Sequence, residues 1–267
     1  MKNKKQKMKL VYIAIPLLVI LLAVGIYMLV KDDSNKNNEQ PVVTETTDTN
    51  DEVDEEEKAL VESLWATNSA INSDYVGTIT FESNLINLPF VQGKDNNTYY
   101  RTNWETMEHD EEGSIFMDSS NTLSDQNIIL IGHYVYASYE ASGTHMFTPL
   151  AKLIDESNYE ANKYVKLYLE NEVRRYEIAY VYYCQLNEES SNGETFFYTE
   201  DGYEFYYPNY TEEQFETYLS TVKANSFYDT GVDISYGDKF LTLQTCVENH
   251  EELREIVVLK EIDRTSY

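Results

Sequence analysis

Cys246 closes an apolar, β-branched run, Phe240-Leu241-Thr242-Leu243-Gln244-Thr245-Cys246, and Arg254 opens a second one, Arg254-Glu255-Ile256-Val257-Val258-Leu259, eight residues later. Two cysteines in 267 residues do not make a disulfide framework. A thiol in this setting is either inert packing or a nucleophile. A nucleophile needs a partner that handles protons and a donor that steadies the oxyanion of a tetrahedral intermediate. His133 fits the first need, because Asn127-Ile128-Ile129-Leu130-Ile131-Gly132 delivers it from the end of a buried strand. Strand ends are where a rigid scaffold presents reactive groups to a cleft. A hydrogen-bonded histidine at a strand terminus is the plainer alternative. Arg254 fits the second need if its strand pairs with that of Cys246, since a guanidinium is always charged and rich in donors. A surface ion pair with Glu251 or Glu255 is its alternative.

The remaining candidates read as structural. His109 and His250 sit in acidic loops, and His145 lies between a Gly-Thr turn and Met146-Phe147. Cys184, inside Tyr180-Val181-Tyr182-Tyr183-Cys184, reads as a small buried apolar residue, with a Cys184–Cys246 disulfide as a minor alternative outside a cell. No histidine pair at i, i+4 and no CxxC spacing advertises a metal site, so no cofactor and no metal are expected.

The elements that must carry these residues are mostly strands. Short β-branched and aromatic runs cover 76–81, 88–92, 114–117, 127–131, 164–169, 175–185, 239–245 and 254–262. Eight such runs suggest a mainly antiparallel sheet closed on itself. An amphipathic helix over 58–72 opens the domain, with Leu60, Val61, Leu64 and Trp65 at helical spacing. Two more helices are expected, over 148–154 and over 211–224, the latter with Thr211 as N-cap and Gln214 three residues on. The Tyr-rich stretch 196–210 reads as a loop lying over a sheet.

Ahead of this domain, residues 1–9 are basic and Leu10 to Val30 is a run of twenty-one residues without a charge. At about 1.5 Å per residue such a helix spans a hydrocarbon core of about 30 Å. Five lysines before it and Asp32 and Asp33 after it predict a cytoplasmic N-terminus and an outer domain. A cleaved signal peptide is the competing reading, disfavoured by the length of the run and by the lack of a small-x-small site. Residues 31–57 follow, with eleven acids from Asp32 to Glu57, and read as a flexible acidic linker to a domain at 58–267. Six of the twenty basic residues and none of the forty-seven acidic ones lie in the first 31 positions, so the outer part carries fourteen against forty-seven, a net −33. That charge repels nucleic acid and anionic lipid headgroups, so no nucleic-acid partner is expected, and spread along the whole domain it marks no particular partner.

Taken together, the motifs resemble the sortase family of cysteine transpeptidases, class B in particular. Thr242-Leu243-Gln244-Thr245-Cys246 is similar to the family's TLxTC, Gly132-His133 follows a hydrophobic strand, and Arg254 precedes valines. Leu88 to Asn96 with Tyr99-Tyr100 resembles the class B PVVQGxDNxxY segment, Gly113 to Asp118 its G-x-I-F-M-D, and Ser226 to Val232 the approach to the cysteine strand. The resemblance runs over about 58–262. Tyr134 stands where the family usually has Asn, the segment from His133 to Met146-Phe147 is longer than usual, and Tyr100 stands where Leu is frequent.

The resemblance implies a mainly β fold, a closed eight-stranded sortase β-barrel with an N-terminal helix and a helix before the cysteine strand, preceded by one transmembrane helix. It implies acyl transfer in two steps without a cofactor. Cys246 attacks a Thr carbonyl in an LPxTG-like or NPxTN-like sorting signal, His133 protonates the departing amine, and Arg254 orients the substrate and stabilises the oxyanion. The thioacyl enzyme then passes to an amino nucleophile of peptidoglycan or a pilin at a Gram-positive cell surface. Asn96, Tyr100 and Gln244 are the substrate contacts it suggests. Two other classes stay open here: a non-catalytic surface-binding module on the same barrel, and a different extracellular cysteine peptidase. The first would lack one of Cys246, His133 and Arg254; the second usually places its Cys before its His.

Overall fold

The structure, a computed structural model, describes residues 49–135, 145–186, 197–198 and 207–267. Its strands are β1 (Tyr75–Phe81), β2 (Asn87–Val91), β3 (Ile115–Met117), β4 (Asn127–Ile131), β5 (Tyr164–Tyr168), β6 (Glu172–Leu186), β7 (Phe197–Tyr198), β8 (Phe240–Val247) and β9 (His250–Ser266). They form one sheet in the order β5-β1-β2-β3-β4-β8-β9-β6-β7, and β5 also pairs with β6. That last pairing closes eight strands into a barrel and leaves the two-residue β7 as an appendage on β6. The pairings β2–β3 and β4–β8 are parallel and the rest antiparallel. Closure removes the open edges that an isolated sheet would expose.

Alternation along the strands sorts their side chains. Leu241 and Leu243 of β8 and Val257 and Leu259 of β9 point inward and join Ile79, Phe81, Phe90, Ile115, Leu130 and Ile178 in the barrel core. Phe240 of β8, Ile256 and Val258 of β9 and Tyr180, Tyr182 and Cys184 of β6 point outward. Helix α3 (Glu212–Asn225) covers that outer face with Phe215, Tyr218 and Val222. Each large apolar side chain so buried is worth about 1.5–3 kcal/mol against exposure. The expected cap of α3 is present in full: Thr211 accepts from the Gln214 N–H, and the Gln214 side chain accepts from the Thr211 N–H.

Helix α1 (Thr49–Ile71) packs Val61 and Leu64 against Tyr168 and Val173. It starts nine residues before the predicted helix, so 49–57 of the stretch expected as linker is helical. The reason is Glu57, whose carboxylate meets Lys166 Nζ at 3.0 Å, the Arg175 guanidinium, and the Tyr267 hydroxyl at 3.0 Å, tying this acidic segment to the barrel. Composition alone counted only the repulsion among its acids. The helix expected at 148–154 is a 3-10 helix (Thr148–Ile154) with Pro149 in its first turn, and a short helix, α2 (Tyr159–Asn162), follows. The expected transmembrane segment, 10–30, lies outside the described residues. Among the described residues no helix is long and apolar enough to cross a membrane.

Candidate active site

Three neighbouring strands bring the candidate residues into one row. β4 runs parallel to β8, with Asn127 opposite Phe240 and Ile131 opposite Gln244. Asn127 locks this register, because its Oδ1 accepts from the Thr242 hydroxyl at 2.8 Å while its Nδ2 donates to the Tyr207 carbonyl at 3.2 Å. The Gly132 N–H continues the ladder by donating to the Gln244 carbonyl at 3.1 Å. One step further, His133 leaves β4 level with Cys246. On the far side of β8, Cys246 is paired with Arg254 of β9, and Arg254 with Cys184 of β6. His133, Cys246, Arg254 and Cys184 therefore follow one another across the outer face.

Gly132 is what lets the chain reach this point. A Cβ there would lie 2.7 Å from the Phe147 ring, so the backbone passes under Phe147 only without a side chain. The His133 carbonyl in turn accepts from the Phe147 N–H at 3.0 Å. The imidazole is 8% exposed, and its Nε2 lies 2.6 Å from the Tyr100 carbonyl oxygen. A carbonyl can only accept, so Nε2 carries the proton and Nδ1 is the ring atom left for proton transfer. Gly113 keeps that carbonyl in place: its φ is +60°, and a Cβ would come within 2.4 Å of the same oxygen. The Tyr100 ring, 41% exposed, lies against the imidazole at 4.3 Å between centroids.

Burial holds the His133 pKa below its ordinary value; the Tyr100 carbonyl opposes this, and the charges of Arg101 and Arg254 add to the lowering. Arg101 was not among the expected site residues. It reaches over the Tyr100 ring at 5.2 Å and pairs with Glu111 at 3.1 Å, and no spacing in the sequence marks it. Cys246 is half-buried and reduced. Arg254 Nη1 donates to the Leu253 carbonyl at 2.7 Å, and Glu255 faces the opposite side of β9, which removes it as the ion-pair partner considered from sequence. Cys184 is reduced and buried, and burial pushes its thiol up to about 12. β9 stands between the two cysteines, a separation of about 10 Å, which exceeds disulfide reach.

The three expected substrate contacts differ in their surroundings. Tyr100 stands at the opening beside His133. Gln244, 4% exposed, keeps its Oε1 without a hydrogen-bond partner among the described residues. Asn96 spends both ends of its amide on a loop clasp, donating to Asp118 Oδ2 at 2.8 Å and accepting from the Ser119 N–H at 2.7 Å. At the rim, the Tyr134 hydroxyl donates to Glu248 at 3.2 Å and His145 meets Glu112 at 2.5 Å. His109 makes an exposed pair with Glu111 in its acidic loop, whereas His250, read from the sequence as a loop residue, opens β9 opposite Val247 and makes an exposed pair with Glu252. No group of three or more metal-ligating side chains is present among the described residues.

No model of a known protein family matches the chain. Sortase B of Listeria monocytogenes is 31% identical over 208 residues, which cover 75% of this chain and 71% of that protein. The chain belongs to the sortase B family. The structure of Clostridium perfringens sortase B superposes with a TM-score of 0.60 at 33% identity, covering 74% of this chain and 99% of that one. The Staphylococcus aureus sortase B–substrate complex shares the fold at a TM-score of 0.62 and 24% identity, covering 80% of this chain and 94% of that one. The barrel described above is thus a sortase barrel, and the protein is a sortase, a cysteine transpeptidase. A module that had abandoned the chemistry is disfavoured, since Cys246, His133 and Arg254 are all present and in one row.

Proposed function

We propose that this sortase is a membrane-anchored transpeptidase that cleaves an LPxTG-like or NPxTN-like sorting signal through a thioester on Cys246. The observation that carries the reading is the row His133–Cys246–Arg254 across β4, β8 and β9. The Cys246 thiolate attacks the Thr carbonyl carbon, and the oxyanion that forms is stabilised by the Arg254 guanidinium. Collapse breaks the C–N bond, and His133 gives a proton from Nδ1 to the departing amine. An amino group of peptidoglycan or a pilin then attacks the thioester, passes its proton to Nδ1, and releases the thiolate.

The protonation states set the resting site. His133, held below its ordinary range by burial, is neutral at neutral pH. The reactive form is the thiolate–imidazolium pair. Tyr100 and the unpaired Gln244 Oε1 supply a wall and an acceptor for an extended peptide, while Asn96 shapes the loop through its clasp. The sorting-signal substrate has a parallel in the Staphylococcus aureus sortase B solved with its substrate. Residues 10–30, flanked by lysines on one side and acids on the other, would hold the catalytic domain outside the cell. Cleavage of fluorogenic LPxTG-like and NPxTN-like peptides by the protein tests this. Activity on one of these, lost in Cys246→Ala and nearly lost in His133→Ala and Arg254→Ala, is expected; full activity in Cys246→Ala sinks the mechanism.

A further inference from the structure

Glu255 takes no part in the chemistry above, yet it follows Arg254 directly and sits in the strand pair that carries Cys246. Alternation turns it into the barrel, where it is 1% exposed. Thr245 of β8 lies opposite it on one side and Tyr183 of β6 on the other. Its Oε1 and the Thr245 hydroxyl are both buried without a hydrogen-bond partner among the described residues. Native interiors hold few such groups, and each that persists has a reason.

Among the described residues, the elements around it offer no compensating charge. β6 contributes Tyr183, and the 226–230 segment contributes Tyr228, with Asp229 exposed beside it. Burial raises both tyrosine hydroxyls, and the Glu255 charge raises them further; Tyr159, Glu156 and Asp155 also act on Tyr228. The 3-10 helix Thr148–Ile154 packs on β6, β8 and β9, and its cation, Lys152, is exposed. Arg254 and Cys246 are turned to the other face. Burial pushes the Glu255 carboxyl up to about 8, with no cation offsetting it.

We propose that Glu255 is a positioning residue for the Cys246–Arg254 pair, which its protonated form holds in place and its ionised form releases. The inference rests on the acyl-transfer reading of Cys246. A carboxylate formed among apolar neighbours must reach water or force its surroundings to yield. The β8–β9 hairpin ends just beyond the Cys246–Arg254 pair. Pairing is already weakest there: the register shifts between Cys246 and Val247, and Asn249 in the turn has a φ of +62°. Opening that end separates the strands at Cys246 and Arg254.

The test compares kcat/KM for the cleaved peptide in the unaltered protein and in Glu255→Gln from pH 6 to 9.5. Gln keeps the shape without ionising. An acid titrating near 8 goes from about nine-tenths neutral at pH 7 to about one-tenth at pH 9, so the activity ratio of Gln to Glu should rise about ninefold. Two readouts do not depend on activity. The 13C signal of the carboxyl in Cys246→Ala should titrate well above the ordinary ~4.3. The melting temperature of the unaltered protein should fall relative to Glu255→Gln as pH climbs from about 4.5 to about 8, because the folded state alone retains the proton in that window. Superimposable pH profiles, a carboxyl titrating in the ordinary range, or a folded Gln variant inactive at every pH would overturn the proposal. If the unaltered protein cleaves no peptide, the acyl-transfer reading fails by itself, and the titration and melting data still decide about Glu255.

Discussion

At the scale of single residues, the site depends on what each charged group faces. Arg254 and Glu255 are neighbours in sequence and opposites in environment, one beside the thiol and one inside the barrel. Arg254→Lys keeps the charge but loses the planar fork of donors, and kcat/KM should fall about 10²–10³-fold in a peptide-cleavage assay with little change in melting temperature. Arg101 acts at longer range. It helps hold the His133 pKa down, so Arg101→Ala should move the acid limb of the kcat/KM profile to higher pH, because the imidazole then binds its proton more readily. An unmoved limb would mean that Arg101 contributes nothing to the His133 pKa.

At the scale of elements, the row exists because two glycines allow close backbone approaches. Gly132→Ala would drive a methyl group into the Phe147 ring, and either the ring or the His133 segment must shift. The expected cost is about 1–3 kcal/mol of stability together with a loss of cleavage. Phe147→Leu in the same chain should restore part of both, which thermal denaturation and kinetics would show. Thr211→Ala, at the far end of α3, is the contrast: about 1 kcal/mol lost with kcat/KM unchanged. Much at this scale was legible in the sequence. The eight barrel strands appeared as β-branched runs, and Thr211 with Gln214 announced the cap of α3. The parallel pairings β2–β3 and β4–β8 were not legible, since periodicity along a strand says nothing about its neighbour. Yet it is the β4–β8 register that brings the end of β4, which His133 follows, level with the Cys246 end of β8. Glu255 left a trace that could have been read: it stands two and four residues before Val257 and Leu259, an acid on the apolar side of an alternating strand.

At the scale of the molecule, the barrel and its N-terminal helix work as one unit. The acidic composition around residue 57 reads as linker, but Glu57 is held by Lys166, Arg175 and Tyr267, contacts far apart in sequence that no local pattern reveals. A chain beginning at residue 58 should therefore melt at a lower temperature than one beginning at residue 49, and Glu57→Gln in the longer chain should reproduce part of the loss. Equal melting temperatures would show that the clasp contributes little. The proposed catalytic residues stand out in the sequence because each ends or begins a run with few alternatives. The surrounding groups were not, because Arg101, the Tyr100 carbonyl and Gly113 act through loop geometry.

The central claim is that Cys246 carries the acyl group. Incubating the protein with LPxTG-like and NPxTN-like peptides, quenching in acid and mapping the adduct by mass spectrometry tests it most directly. The account predicts a thioester on Cys246 whose added mass ends at the Thr of the signal, released by hydroxylamine and absent in Cys246→Ala. A peptide cleaved with no adduct on Cys246, or an adduct on Cys184 instead, would contradict it.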